Sequence, residues 1–208
     1  MGHRESLASF SANSETIAFE RSISNDEIYI WKNEFEKEKK LTEYDNGTVR
    51  DIKFLSKDNL LIVLEASVEV WSTSNFMRLQ TIDLNEEKLE KAYYSKLTDK
   101  IVLTTREQTI HLVSKQDDKY EIVSSAEKSF RQAKLDLKFD STGRKIIVHN
   151  REVLSSETLG SEFIVPFDQT FVDSVFFTPA EGFFGFKYPN YIKAVSYTHL
   201  TLPTIYSV

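Results

Sequence analysis

The chain has 208 residues, 26 Lys+Arg against 32 Asp+Glu for a formal net charge of −6, 40% hydrophobic residues and no cysteine. Disulfides, thiol catalysis and Cys-based zinc sites are thereby excluded, and with no basic block there is no track for phosphate, so no nucleic-acid partner is expected. Met1 to Phe10 lacks the apolar centre of a signal peptide, and no run approaches the ~18 apolar residues of a membrane span, so a cytoplasmic protein without a membrane partner is expected. The 15 Phe, 9 Tyr and 2 Trp supply enough large side chains for a sizeable core.

Superposing the chain on itself reveals a repeat. Five segments share one pattern, Ala8-Ser9-Phe10-Ser11, Ile52-Lys53-Phe54-Leu55, Ala92-Tyr93-Tyr94-Ser95, Leu137-Lys138-Phe139-Asp140 and Val175-Phe176-Phe177-Thr178. The anchor aromatics Phe10, Phe54, Tyr94, Phe139 and Phe177 are spaced by 44, 40, 45 and 38 residues. Seven residues after each anchor stand Ile17, Leu61, Ile101, Ile146 and Phe184, and nine after stand Phe19, Val63, Leu103, Val148 and Phe186. Residues two apart share one face of a strand, so each unit is expected to open with a hairpin whose two inward faces are apolar. Short polar turns join the two strands: Ala12 to Glu15, Ser56 to Asn59, Lys96 to Asp99, Ser141 to Arg144 and Pro179 to Gly182.

A third strand follows at Glu27 to Trp31 and Ser67 to Trp71, both alternating and both ending in Trp, with weaker copies at Gln108 to Val113 and Glu152 to Leu154. A fourth is expected at Lys40 to Glu43, Arg78 to Asp83, Lys119 to Val123 and Glu162 to Phe167. Four strands in ~40 residues is the arithmetic of a propeller blade. Helix has little support: Asn33 to Lys40 is short and charged, and Asn85 to Ala92 allows one or two turns.

In the second unit, Gly47-x-Val49-x-x-Ile52-x-Phe54, then Leu60 to Leu64, then Val68-x-Val70-Trp71-Ser72, then Leu79-x-Thr81-Ile82 resembles one WD40 repeat from first strand to last. The resemblance spans roughly residues 7 to 194 and implies an all-β, partial propeller of four-stranded antiparallel blades, about four and a half of them. The family's Trp-Asp pair is replaced by Trp31-Lys32 and Trp71-Ser72, and Gly-His occurs once, as Gly2-His3. Phe10, Trp31, Phe54, Trp71, Tyr94, Phe139 and Phe177 are the expected structural anchors of the repeat. Taken without the resemblance, the same strands also fit a β-sandwich. Two organisational expectations follow: residues 1–194 form an incomplete propeller, and residues 195–208, which break the pattern and resemble translated adapter sequence, form a non-native tail.

Candidate chemistry is sparse. His3, His111, His149 and His199 are scattered, no two at metal-ligand spacing, and structural roles are expected for His111 and His149. The acidic pairs Glu86-Glu87 and Asp117-Asp118 read as solvated loop charge, and no segment alternates carboxylates around a glycine as a calcium loop does. No Gly-x-Ser-x-Gly, Walker loop or dinucleotide fingerprint is present. Lys37, Lys39 and Lys40 are interleaved with Glu34, Glu36 and Glu38, a mixed-charge loop. Phe163, Phe167, Phe171, Phe176, Phe177, Phe183, Phe184, Phe186, Tyr188 and Tyr191 crowd the last quarter, where packing between blades is favoured over an exposed patch. No catalytic, cofactor or metal residues are expected. The expected function is a non-catalytic scaffold that binds protein partners. The alternative is the regulatory propeller of a larger protein, and a propeller hydrolase is disfavoured.

Overall fold

The computed structural model describes residues 7–22, 25–34, 36–45, 48–84, 87–128, 135–148, 152–164, 174–177, 183–187 and 192–196. The chain divides into two compact units, Met1–Ala133 and Lys134–Val208.

The first unit holds three four-stranded antiparallel sheets, each a consecutive meander. They comprise β1 (Ala8–Phe10), β2 (Thr16–Ser22), β3 (Asn25–Lys32) and β4 (Lys39–Asp45); β5 (Asp51–Phe54), β6 (Asn59–Val63), β7 (Ser67–Ser72) and β8 (Met77–Asp83); and β9 (Leu89–Ser95), β10 (Lys100–Thr105), β11 (Thr109–Gln116) and β12 (Lys119–Glu127). The innermost strands β1, β5 and β9 adjoin in that order. The second unit holds a fourth such sheet, β13 (Leu137–Phe139), β14 (Lys145–Val148), β15 (Glu152–Ser155) and β16 (Ser161–Ile164), and a three-stranded sheet, β17 (Ser174–Phe177), β18 (Phe183–Lys187) and β19 (Ile192–Ser196). The protein is all-β, and its four-stranded meanders are built as propeller blades.

Two apolar layers hold the first unit together. Ala18, Ile28, Ile30 and Leu41 of the first sheet meet Ile52, Phe54, Leu60 and Ile62 of the second. Leu61, Val63, Val68 and Val70, on the other face of that sheet, meet Leu89, Ala92, Ile101, Leu103 and Val113 of the third. Because β6 is covered on both faces, it reads as the continuous apolar run Leu60 to Val63 and not as an alternation. Burying each such side chain stabilises the fold by roughly 1.5–3 kcal/mol.

The expected register holds in the outer copies: Phe10 faces Ile17, Tyr94 faces Ile101 and Phe139 faces Ile146. The second sheet departs from it, with Phe54 opposite Leu60 and Ile52 opposite Ile62. Its hairpin is one residue shorter, closed by the Leu55 N–H on the Asn59 carbonyl. Leu61 and Val63 therefore turn to the third sheet. An apolar residue at every position of β6 conceals this slip from any count of spacing.

Turn chemistry repeats as well. In the first and fourth sheets the residue after the anchor closes the hairpin, since the Thr16 N–H donates to Ser11 Oγ at 3.0 Å and the Lys145 N–H to Asp140 Oδ1 at 3.0 Å. Ser14 and Gly143 hold the same left-handed position in these turns, at φ 58° and 73°. Asp117 and Asp118 form the two-residue tip of the β11–β12 hairpin, with φ 44° and 68°. Both central residues of this tight turn need positive φ, which aspartate tolerates better than most residues.

One feature of the ladders is common to all four blades and left no trace in the sequence. Where the third strand pairs with the fourth, one residue of the outer strand is extra: Leu41, Leu79, Val123 and Glu162. Such a bulge twists an edge strand away from flat pairing with other chains.

Candidate interaction surface

Polar side chains are concentrated where one blade meets the next. At the inner rim, the Phe54 N–H donates to Ser9 Oγ at 3.1 Å and the Ala92 N–H to Asp51 Oδ2 at 3.1 Å, so each innermost strand is tied to the one before it. Asp26, fully buried, accepts from the Val49 N–H at 2.9 Å. At the outer rim, Gln80 of β8 donates to the Tyr120 carbonyl at 2.6 Å and accepts its N–H at 2.9 Å. A glutamine amide thus occupies the edge of β12 as one residue of a neighbouring strand would.

The third strand of each blade carries a polar residue at one fixed position. Tyr29, Glu69, His111 and Glu152 stand opposite Phe19, Ile62, Leu103 and Val148, at intervals of 40, 42 and 41 residues. In the second and third blades this residue is a latch. The buried Glu69 carboxylate accepts from Trp71 Nε1 at 2.8 Å, from Arg78 at 2.7 Å and from the Tyr44 hydroxyl of the preceding blade. Burial, helped by Glu69, pushes the Tyr44 phenol well above its ordinary pKa, and the bond to Glu69 holds Arg78 more firmly protonated. His111 bonds Ser125 Oγ at 2.8 Å and Glu87 at 2.7 Å, the latter on the connection arriving from the second blade. A carboxylate only accepts, so His111 Nε2 donates to Glu87.

Ser125, His111 and Glu87 are linked in the order nucleophile, base and acid. Ser125 lies within the β11–β12 ladder, not on the sharp strand-to-helix turn that presents the serine of an α/β-hydrolase. The bonded chain fastens a loop to a sheet. A third cluster, Asp99 with Tyr94 at 3.0 Å and Tyr120 at 2.9 Å, closes the base of the third blade, where burial and the carboxylate raise both phenols.

The anchors fall into different settings. Phe54 is 9% exposed and Tyr94 half-buried, each packed against the preceding blade, whereas Phe10 is 61% exposed. Trp71 lies on the same layer as Phe54, and Trp31, opposite Ile17, is half-buried. Phe139 is half-buried in the second unit, and Phe177 lies in β17, where only the backbone is described. His3, His149, His199, Glu86, Phe167, Phe171, Tyr188, Tyr191 and residues 197–208 lie outside the described residues, and the side chains of Phe163, Phe176, Phe183, Phe184 and Phe186 do too. Glu87, expected to be solvated loop charge, is instead committed to His111. Its partner is 24 residues away, beyond the reach of a local pattern.

Among the described residues, no cluster of three or more His, Asp or Glu side chains could hold a metal ion, and no helix is long and apolar enough to cross a membrane. Large apolar side chains reach solvent instead. Met77 and Leu79 on β8, Ile122 and Val123 on β12 and Ile164 on β16 lie on outer strands, and Leu97 lies in the β9–β10 turn.

No family model matches the chain, and no curated protein matches it by sequence. Solved structures do. A chain in the crystal structure of a mitotic checkpoint complex superposes with a TM-score of 0.68 over 92% of this chain at 14% identity, and the match spans 62% of that chain's length. At that identity the likeness is one of fold.

Proposed function

We propose that this chain is a non-catalytic, WD40-like scaffold that binds protein partners through its outer strands and turns. One observation carries the reading: among the described residues, buried polar side chains hold blades together, while large apolar ones on outer strands face solvent. Glu69, His111, Asp51 and Asp99 all accept or share bonds within or between blades, whereas Leu79, Ile122, Val123 and Leu97 are exposed. Exposed apolar groups on a rigid framework are the usual anchors of protein recognition. The solved neighbour belongs to a complex by its description, which agrees with this reading.

The test is affinity capture with the full chain, followed by reconstitution of the captured protein in purified form. Leu79→Glu and Val123→Glu are expected to abolish that binding without lowering the melting temperature. Binding indifferent to both variants, or turnover of a small substrate by the purified chain, would overturn the proposal.

A further inference from the structure

The outer edge of the third blade is already paired once, and by an amide. The β11–β12 hairpin turns on the two residues Asp117 and Asp118, so Gln116 and Lys119 close it as a hydrogen-bonded pair. The pairs then alternate. Ser114 and Glu121 exchange bonds across the ladder, whereas Tyr120, opposite Lys115, and Ile122, opposite Val113, turn their N–H and C=O groups away from β11. For Tyr120 the outward direction is seen directly, since the Gln80 amide of β8 donates to its carbonyl at 2.6 Å and accepts its N–H at 2.9 Å. Ile122 presents the next outward pair, about 7 Å further along the strand. One residue later the extra residue Val123 interrupts the ladder. The Gln80 amide and the bulge thus bracket a single outward rung.

The side chains beside that rung are apolar. Ile122 stands opposite Val113, and Ile82, two residues along β8 from Gln80, stands opposite Val68. Val68 and Val113 belong to the layer shared by the second and third sheets, and Ile82 packs against it. Ile82 and Ile122 therefore border the outer end of one layer, and both lie in the first unit. Ile122 and Val123 are exposed. An outward N–H and C=O beside exposed aliphatic side chains is what strand addition uses, with the main chain supplying affinity and alternate side chains supplying specificity.

We infer that the β12 edge at Ile122 is a docking site for an extended segment of a partner protein. The segment pairs its main chain with the Ile122 N–H and C=O and lays one aliphatic side chain between Ile122 and Ile82. The Gln80 amide shows the chemistry of the occupant, because it is a peptide-like group held by the same edge one rung away. The segment continues an interface that Gln80 has begun. The bulge at Val123 keeps the paired stretch short, which separates a docking site from an edge open to aggregation. The inference rests on the scaffold reading above and names the form of the partner.

The test uses the full chain and linear peptides enriched from a display library of random decapeptides. Saturation with an enriched peptide is expected to slow hydrogen exchange of the Ile122 amide by about tenfold or more, while the Tyr120 amide, already bonded to Gln80, changes little. N-methylation is expected to weaken binding about tenfold at the peptide residue that faces the Ile122 carbonyl and little at either neighbour, since successive amides point to opposite sides of a strand. Ile122→Pro removes an outward N–H and no ladder bond, which an edge strand tolerates, and is expected to weaken binding about tenfold with little change in melting temperature. Failure to enrich any peptide, unchanged exchange at Ile122 in the bound chain, or binding indifferent to Ile122→Pro would overturn the inference. A native dimer with Ile122 already protected would make a second copy the occupant, and would overturn it too. A captured partner that Val123→Glu releases and Ile122→Pro does not would overturn it while leaving the scaffold reading in place.

Discussion

Once the shorter hairpin of the second is allowed for, the first and second blades pair matching residues, yet within residues 7–128 the second meets a neighbour on both faces and the first on one. In β6 every residue from Leu60 to Val63 is buried, while β2 alternates, with Thr16, Ala18 and Glu20 buried and Ile17 and Phe19 half-exposed. The same hydrophobic pattern therefore serves two ends. Where a neighbour is present it becomes core, and where none covers it the same pattern becomes surface.

Mutations can sharpen this contrast. The largest effect is expected at the doubly covered strand: Leu60→Ala should cost about 2–5 kcal/mol in urea unfolding, because a cavity is left in a closed layer, whereas Ile17→Ala, at the matching position opposite the anchor, should cost only about 1 kcal/mol. Next comes the latch. Glu69→Ala strands the Trp71 N–H and the Tyr44 hydroxyl, both half-buried, and should cost about 2 kcal/mol. Equal costs at Leu60 and Ile17 would erase the distinction between the blades.

Gln80→Ala removes two bonds at the outer rim and should cost about 1 kcal/mol, but it also exposes the Tyr120 edge of β12. Concentration-dependent association in sedimentation should accompany it, and a variant that stays monomeric would show that the bulge at Val123 suffices to protect the edge. The smallest effect is a titration. The Tyr44 pKa is raised above its ordinary 10.0, so the unfolded chain ionises first. Stability is therefore full below that pH and falls above it. Melting temperature should decline more steeply above pH 10 in the wild type than in Tyr44→Phe, and parallel curves would contradict the Tyr44–Glu69 bond.

Much of the architecture was legible in the sequence. The four-stranded units, with first strands that finish at or near Phe10, Phe54, Tyr94 and Phe139 and third strands that contain Trp31 and Trp71, follow from period-two apolar patterning. That patterning is local and is set by which face is buried. The latches were not legible, because Glu69 with Tyr44 and His111 with Glu87 join residues 25 and 24 positions apart, and each looks like an ordinary surface polar group until the sheets stack. The repeat of Tyr29, Glu69, His111 and Glu152 was hidden for a different reason. Its members share a position and a polar role but no chemistry, and an alignment guided by hydrophobic residues passes over them. The shortened second hairpin was masked because apolar side chains fill both registers of β6.

The central claim is that coverage, more than sequence pattern, sets how firmly each blade is held. Native-state amide hydrogen exchange resolved by strand tests it most directly. The slowest amides should lie in Leu60–Val63 of β6 and Ile101–Leu103 of β10, with Ile17–Glu20 of β2 exchanging faster by at least an order of magnitude. Protection of β2 equal to that of β6 would contradict the account.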